Sequence, residues 1–204
     1  MRDELGPVQN PDFVLAMKYL LDRKQINRVA FRGYGAIAND QPIAASNRYF
    51  AADIPQRDFD LDKAKFHFKK SGMTGRALPL VASEAATGSQ DIAQLLQLSG
   101  QQIGLKLDIK RVPADGYWSN HWMKHPLGFG SVNARPTADL MFSLFYQSTA
   151  TMNESGWNNP RFDELLLAAR GETDDAKRKQ MYGEMQMLAV SYTHLRAHET
   201  KANL

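Results

Sequence analysis

Leu78-Pro79-Leu80-Val81-Ala82, residues 89–103, and Leu105-Lys106-Leu107-Asp108-Ile109-Lys110-Arg111-Val112 are the segments that decide the fold class. The first is a short apolar run and reads as a strand. The last alternates apolar with polar residues, as a strand with one buried face does. Between them Ile92, Leu95, Leu96 and Ile103 recur at helical spacing, and Gly104 supplies the stop. Strand, helix and strand make a βαβ unit, so the two strands are expected to run parallel with a right-handed crossover.

Outward from this unit the pattern is mostly helical. Asn10-Pro11 places an N-cap and a first-turn proline ahead of Phe13, Met17, Leu20 and Leu21. A second short helix from Lys24 carries Ile26, Val29 and Ala30 and stops before Gly33. Residues 33–59, broken by Gly33, Gly35, Pro42 and Pro55, read as a long ordered loop that is functional or laid across a surface. Asp60 or Asp62 caps a helix through Ala64, Phe66 and Phe68 to Gly72. Further on, residues 115–124 read as a short helix, 126–136 as irregular and 137–146 as helical. Pro160 opens another helix, with Phe162, Leu165, Leu166 and Ala169 inward, and Thr173 caps a last one with Met181, Met185 and Leu188. The class is α/β, a small sheet covered by helices.

The chain has 204 residues, 43% hydrophobic and 23% charged, which excludes wholesale disorder and allows a substantial core. Lys and Arg total 25 against 22 Asp and Glu, a net charge of +3 spread without a basic block, so no nucleic-acid partner is expected. With no cysteine, disulfides, thiolate nucleophiles and cysteine-based metal sites are excluded. No apolar run is long enough to span a bilayer, and Met1-Arg2-Asp3-Glu4-Leu5 has none of the regions of a signal peptide.

Catalytic signatures are missing as well. Gly33-Tyr34-Gly35 lacks the third glycine and preceding strand of a phosphate loop, and neither Ser83 nor Ser148 sits in a nucleophile elbow. His121 and His125, and likewise His194 and His198, have the i,i+4 spacing that can share a metal. Trp122 and Leu195 stand where the hydrolytic zinc motif needs Glu, so both pairs read as surface or packed histidines and no cofactor or metal is expected. Asp174-Asp175 is accounted for by the dipole of the helix it begins.

Loops between 117 and 159 instead concentrate aromatic and amide side chains: Tyr117, Trp118, Trp122, Phe129, Asn133, Arg135, Asp139, Asn153, Trp157 and Asn158. Indoles offer flat apolar area with a polar edge, while Asn, Arg and Asp fix the orientation of a polar ligand. Trp118 and Trp122 could equally be one helix's core face; Trp157, between Gly156 and Asn158, is expected to be less committed to a core. The expected ligand-binding set is Trp118, Asn133, Arg135, Asp139, Asn153 and Trp157.

Ala16-Met17-Lys18-Tyr19-Leu20-Leu21-Asp22-Arg23, Phe59-Asp60-Leu61-Asp62-Lys63-Ala64-Lys65, Trp157-Asn158-Asn159-Pro160-Arg161-Phe162-Asp163-Glu164-Leu165 and further segments, in order along residues 10–190, together resemble the C-terminal lobe of family 5 extracellular solute-binding proteins, the dipeptide, oligopeptide and nickel receptors of ABC importers. Ala16-Met17-Lys18-Tyr19-Leu20-Leu21-Asp22-Arg23 resembles the family's first helix, with Val14 where an Arg is usual. Gly33-Tyr34-Gly35 with Pro42 resembles its Gly-rich loop, and Phe59-Asp60-Leu61-Asp62-Lys63-Ala64-Lys65 with Ser71-Gly72 its next helix. Ile103-Gly104-Leu105-Lys106-Leu107 is similar to its strand entry, Trp157-Asn158-Asn159-Pro160-Arg161-Phe162-Asp163-Glu164-Leu165 to its Trp-Asn-Pro helix, and Arg178-Lys179-Gln180-Met181-Tyr182 to its last helix.

The resemblance implies one lobe of a fold of the periplasmic-binding-protein type II class, a small mixed sheet with a parallel βαβ unit. It implies a monomeric, non-enzymatic receptor that captures a small peptide or peptide-like solute between two lobes and hands it to ABC permease subunits. The implied location is the periplasm, or a lipid anchor outside a Gram-positive cell, the signal peptide being lost by truncation. In the dipeptide receptors an acid three positions before a turn Asp holds the ligand's amino group; the turn Asp matches Asp139, and Pro136 occupies the anchor position beside Arg135. That exchange favours an anionic ligand group over a free amine. Residues 1–9 are expected to be a truncated lead-in. The stretch from Ser191 resembles translated adapter DNA, so residues 191–204 are expected to be a non-native tail. A small free-standing α/β hydrolytic enzyme is the alternative, favoured by a buried pair such as His121 with Asp115. A protein-interaction domain using the aromatic face is the third reading.

Overall fold

The computed structural model describes residues 10–191 and the backbone of residues 197–200. The expected lead-in at 1–9 lies outside the described residues, as does the tail apart from Ser191 and that backbone. The chain divides into two compact units. The first holds residues 10–37 and 57–132 with the 197–200 backbone; the second holds residues 38–56 and 133–191.

The first unit begins with three helices, α1 (Pro11–Leu20), α2 (Arg23–Ala30) and α3 (Leu61–Lys70). Each starts on a polar cap. Asn10 Oδ1 accepts from the N–H groups of Asp12 and Phe13, Asp22 from Gln25, and Asp60 from Lys63, satisfying donors a helix start leaves orphaned. Helices α1 and α3 pack together, with the Phe13 and Phe68 rings 6.5 Å apart and both side chains fully buried. Strand β1 (Ala77–Ala82), helix α4 (Ser89–Gln102) and strand β2 (Lys106–Arg111) form the expected βαβ unit. The strands are parallel, in a register that sets Leu80 beside Ile109. Gly104, at φ 82°, ends the crossover in the left-handed conformation that glycine adopts without penalty.

A short helix, α5 (Tyr117–Asn120), precedes a third strand, β3 (Leu127–Val132), which lies parallel to β1 on the side away from β2. The backbone strand β4 (Ala197–Thr200) extends the order to β2-β1-β3-β4. Strand β3 corrects the expectation of irregular structure over 126–136. Its sequence, Leu-Gly-Phe-Gly-Ser-Val, has two glycines that weaken strand propensity and hide the alternation. Leu127, Phe129 and Val132 are nonetheless buried. The helix expected over 115–124 shrinks to four residues because Gly116 and Met123 both take positive φ, 72° and 61°. The core joins Phe13, Met17, Leu20, Phe68, Leu80, Ile92, Leu96, Leu105 and Phe129 from helices and sheet. Each such side chain contributes roughly 1.5–3 kcal/mol by leaving water.

The second unit packs α6 (Ala138–Phe145), α7 (Pro160–Gly171) and α8 (Asp175–Ser191) around aromatic rings. Phe142 and Phe162 meet edge to face at 5.1 Å, and Trp157 and Phe162 at 4.8 Å. The four residues expected to face inward on α7 are all buried. Helix α8 is capped by Asp174, whose Oδ1 accepts from Ala176 and Lys177 N–H, and not by Thr173; the preceding acid reaches two orphan donors at once. Residues 38–56 lie along α8. Gln186, fully buried, accepts the Ala51 N–H and donates to Tyr49 O, while Arg48 and the Tyr49 hydroxyl reach Asp175.

Candidate functional site

The aromatic part of the first unit is built on α5. Tyr117 is buried, and its hydroxyl both donates to Phe129 O at 2.7 Å and accepts Phe129 N–H at 3.3 Å, which pins α5 to β3. Tyr117 and Phe129 therefore belong to the core. Trp118 turns outward and is 42% exposed, with its ring edge-on to Tyr117 at 5.1 Å and to Trp122 at 6.0 Å. Trp122 is half-buried and packs against the hydrophobic core. One face of this turn thus does both jobs that the spacing left open: Trp122 packs and Trp118 stays in solvent. His121 Nδ1 and His125 Nε2 lie 3.1 Å apart. Asp115 is exposed, and the buried His121–Asp115 pair that an enzyme would favour is not formed.

The polar part lies in the second unit. Asn133 is exposed at the exit from β3. Arg135 is half-buried with its guanidinium carbon 5.3 Å from the centre of the Phe145 ring, a cation–π arrangement. Its Nε is buried without a hydrogen bond, and no carboxylate among the described residues pairs with it. Thr137 caps α6 by accepting Leu140 N–H, and Asp139 sits in the first turn. Asp139 Oδ1 accepts from Arg170 Nε at 2.8 Å, and Arg170 Nη2 also donates to Ser143 Oγ at 2.6 Å. The Asp139 charge is therefore already met within the unit.

Asn153 and Trp157 occupy a different environment. Asn153 is 7% exposed and donates through Nδ2 to Trp157 O at 2.7 Å and to Gln147 O at 3.3 Å, while its Oδ1 accepts from Ser155 Oγ at 2.8 Å. Trp157 is only 3% exposed, packed on Phe162 and Tyr146. The expectation that its Gly and Asn neighbours keep it out of a core is corrected: Asn153 folds the loop back and delivers the indole inward. Asn158 accepts from Ser148 Oγ at 3.2 Å. Buried beside them is Glu154, with an Oε1 that has no hydrogen-bond partner. Burial, reinforced by the Glu154 and Asp40 charges, pushes the Tyr146 phenol well above its ordinary range. Neither Glu154 nor Gln186 was singled out by sequence, since an isolated polar residue in a loop or on a helix carries no periodic signal of burial.

Among the described residues no group of three or more His, Asp or Glu is placed to hold a metal, and no helix is long and apolar enough to cross a membrane. The His194/His198 pair lies outside the described side chains.

The family model for bacterial extracellular solute-binding proteins, family 5 (middle part) matches residues 3–153. Heme-binding protein A of Haemophilus influenzae is 23% identical over 198 residues, covering 91% of this chain and 35% of that protein. The glutathione-binding protein GsiB of Pectobacterium atrosepticum is 24% identical over 192 residues, 88% of this chain and 37% of that protein. Among solved structures, the periplasmic binding protein DppA from Helicobacter pylori, in complex with the peptide STSA, superposes with a TM-score of 0.77 at 20% identity over 91% of this chain and 38% of that one. The chain thus spans little more than a third of the length of these relatives, and its α/β architecture is that of one lobe of their type II binding-protein fold. It belongs to the family 5 bacterial extracellular solute-binding proteins.

Proposed function

We propose that this chain is one lobe of a two-lobed receptor that closes on a peptide-like solute and delivers it to the permease of an ABC importer. The observation that carries the reading is the family match over residues 3–153 in a chain that spans about a third of its relatives' length. Closure between lobes gives such a receptor its affinity, and a few polar anchors in one lobe set its specificity. No catalytic step belongs to this function; the lobe acts as a monomer, outside the cytoplasm, without nucleic acid or a cofactor.

The anchor is Arg135. Its charge has no carboxylate partner among the described residues, it is steadied by Phe145, and it stands beside Pro136, where the dipeptide receptors carry an acid for an amino group. A guanidinium so placed recognises a carboxylate through paired hydrogen bonds. Heme, glutathione and a peptide, the ligands for which the three relatives are named or solved, all carry carboxylates. Within the second unit Asn133 and Asp139 supply further polar contacts, and Asn153 with Trp157 form the wall that holds the loop. Residues 10–190 are the lobe, residues 1–9 its lead-in, and residues 191–204 a non-native tail.

The test is calorimetric titration of the receptor formed by this chain together with the rest of its natural gene product. Free-acid peptides and glutathione should bind, and their C-terminally amidated counterparts should bind at least tenfold more weakly. Equal affinity for acid and amide forms would count against a carboxylate anchor, and no binding to any of them against a peptide-like solute.

A further inference from the structure

We propose that His121 and His125 form a two-imidazole site for a divalent late transition-metal ion. The nitrogens that face each other, Nδ1 of His121 and Nε2 of His125, are 3.1 Å apart, and the rings are inclined by 20° with centroids 5.4 Å apart. An ion bound to both nitrogens at roughly 2.05 Å would subtend an angle of about 100° at that separation, between the cis angle of an octahedron and the angle of a tetrahedron. The N···N separation already present is therefore that of a metal chelate; the two nitrogens now face each other along a hydrogen bond, and binding turns both rings so that their lone pairs meet at one point off that line.

The backbone holds the two residues in this relation. His121 N–H and Trp122 N–H both donate to Tyr117 O at 2.9 Å, and Lys124 N–H closes the turn onto His121 O at 3.1 Å. Between them Met123 adopts φ 61°, a left-handed conformation that costs a non-glycine residue about 1–2 kcal/mol and folds His125 back toward His121. Below, the His121 ring stacks on Tyr117 at 6.3 Å, and Tyr117 is fixed to β3 by its two hydroxyl hydrogen bonds. Both imidazoles are half-buried, with part of each side chain open to an aquated ion.

With both rings neutral, the N–H shared between the facing nitrogens moves to the far nitrogen of its own ring when the ion binds. The ion replaces a hydrogen bond with two coordinate bonds and no net proton is released. Two imidazoles leave the remaining positions to water or to small chelating molecules in solution. Imidazole donors favour copper over nickel and zinc. This site is independent of the solute reading, and either can fail without the other.

The test uses the full chain with His194→Ala and His198→Ala, which removes the other closely spaced pair, titrated with Cu(II) and followed by calorimetry and by tryptophan emission. Trp118 and Trp122 lie beside the pair, so bound Cu(II) should quench them with the same saturation curve as the heat. His121→Phe keeps the stack on Tyr117, and His125→Phe spares it; each should weaken Cu(II) binding at least tenfold while the thermal melt stays that of the parent. Ni(II) and Zn(II) should bind more weakly than Cu(II). Saturable binding that both Phe variants leave within tenfold of the parent would overturn the site, as would no saturable binding below about 1 mM Cu(II).

Discussion

Gln186 Oε1 accepts the backbone N–H of Ala51 at 3.0 Å, joining two positions 135 residues apart in sequence. The same amide donates to Tyr49 O at 2.7 Å and Tyr182 O at 2.9 Å, so one fully buried side chain serves three backbone groups. Replacing it with Leu keeps the volume but orphans the Ala51 N–H and the Tyr49 carbonyl. Each buried group left unpaired costs about 1–3 kcal/mol. Gln186→Leu should lower the urea midpoint accordingly and make residues 38–56 the first site of limited proteolysis.

Asn153 plays the corresponding part in the loop that carries Trp157. Asn153→Ala removes the donor to Trp157 O and the acceptor for Ser155 Oγ. A loss of about 1–3 kcal/mol in denaturant unfolding is expected, together with a weaker near-ultraviolet dichroism signal from the buried indole. Asn153→Asp should recover little, since the lost Nδ2 donor is the group that holds the turn.

Asp12 links α1 to α3. Its Oδ1 accepts from His67 Nδ1 at 2.8 Å and its Oδ2 meets Lys70 Nζ at 3.3 Å. The hydrogen bond from His67, helped by Lys70 and opposed by partial burial, holds the carboxyl below the usual carboxylate range. Because the folded value lies below the unfolded one, the contribution to stability is fully present above the ordinary value of 3.8 and is lost as pH falls through the lower folded value. Urea midpoints measured downward from about pH 5 should fall more steeply for the parent than for Asp12→Asn.

Gly116 is the N-cap of α5, at φ 72°, and an added Cβ would stand 2.7 Å from Asn120 Nδ2. Gly116→Ala should cost about 1–2 kcal/mol from the left-handed backbone alone. The loosened turn should raise hydrogen-exchange rates at Tyr117 through Trp122.

What the sequence made legible followed the strength of its periodic signals. The β1–α4–β2 unit, with clean alternation and a glycine stop, folded as expected; α1 and α3 began at the caps their Asn and Asp residues announced, and α7 began at Pro160. Strand β3 was hidden because Gly128 and Gly130 blanked the alternation that Leu127, Phe129 and Val132 carry in three dimensions. Composition located the aromatic and amide loops but could not sort them. Trp118 and Trp157 are the same residue type, yet one is in solvent on α5 and the other in a core. The difference lies in Asn153, whose hydrogen bonds turn the second loop inward. That Asp139 pairs with Arg170, 31 residues away, was equally illegible, because a tertiary ion pair leaves no mark on the local sequence.

Arg135 carries the central claim, that this lobe anchors a solute by its carboxylate. The direct measurement is the affinity of the receptor containing this lobe for glutathione and for a free-acid peptide, compared between the parent and Arg135→Ala by calorimetry. A paired, partly desolvated guanidinium–carboxylate contact predicts at least a tenfold loss, about 1.4 kcal/mol, with little change for the amidated peptide. Unchanged affinity for every anionic ligand would contradict it.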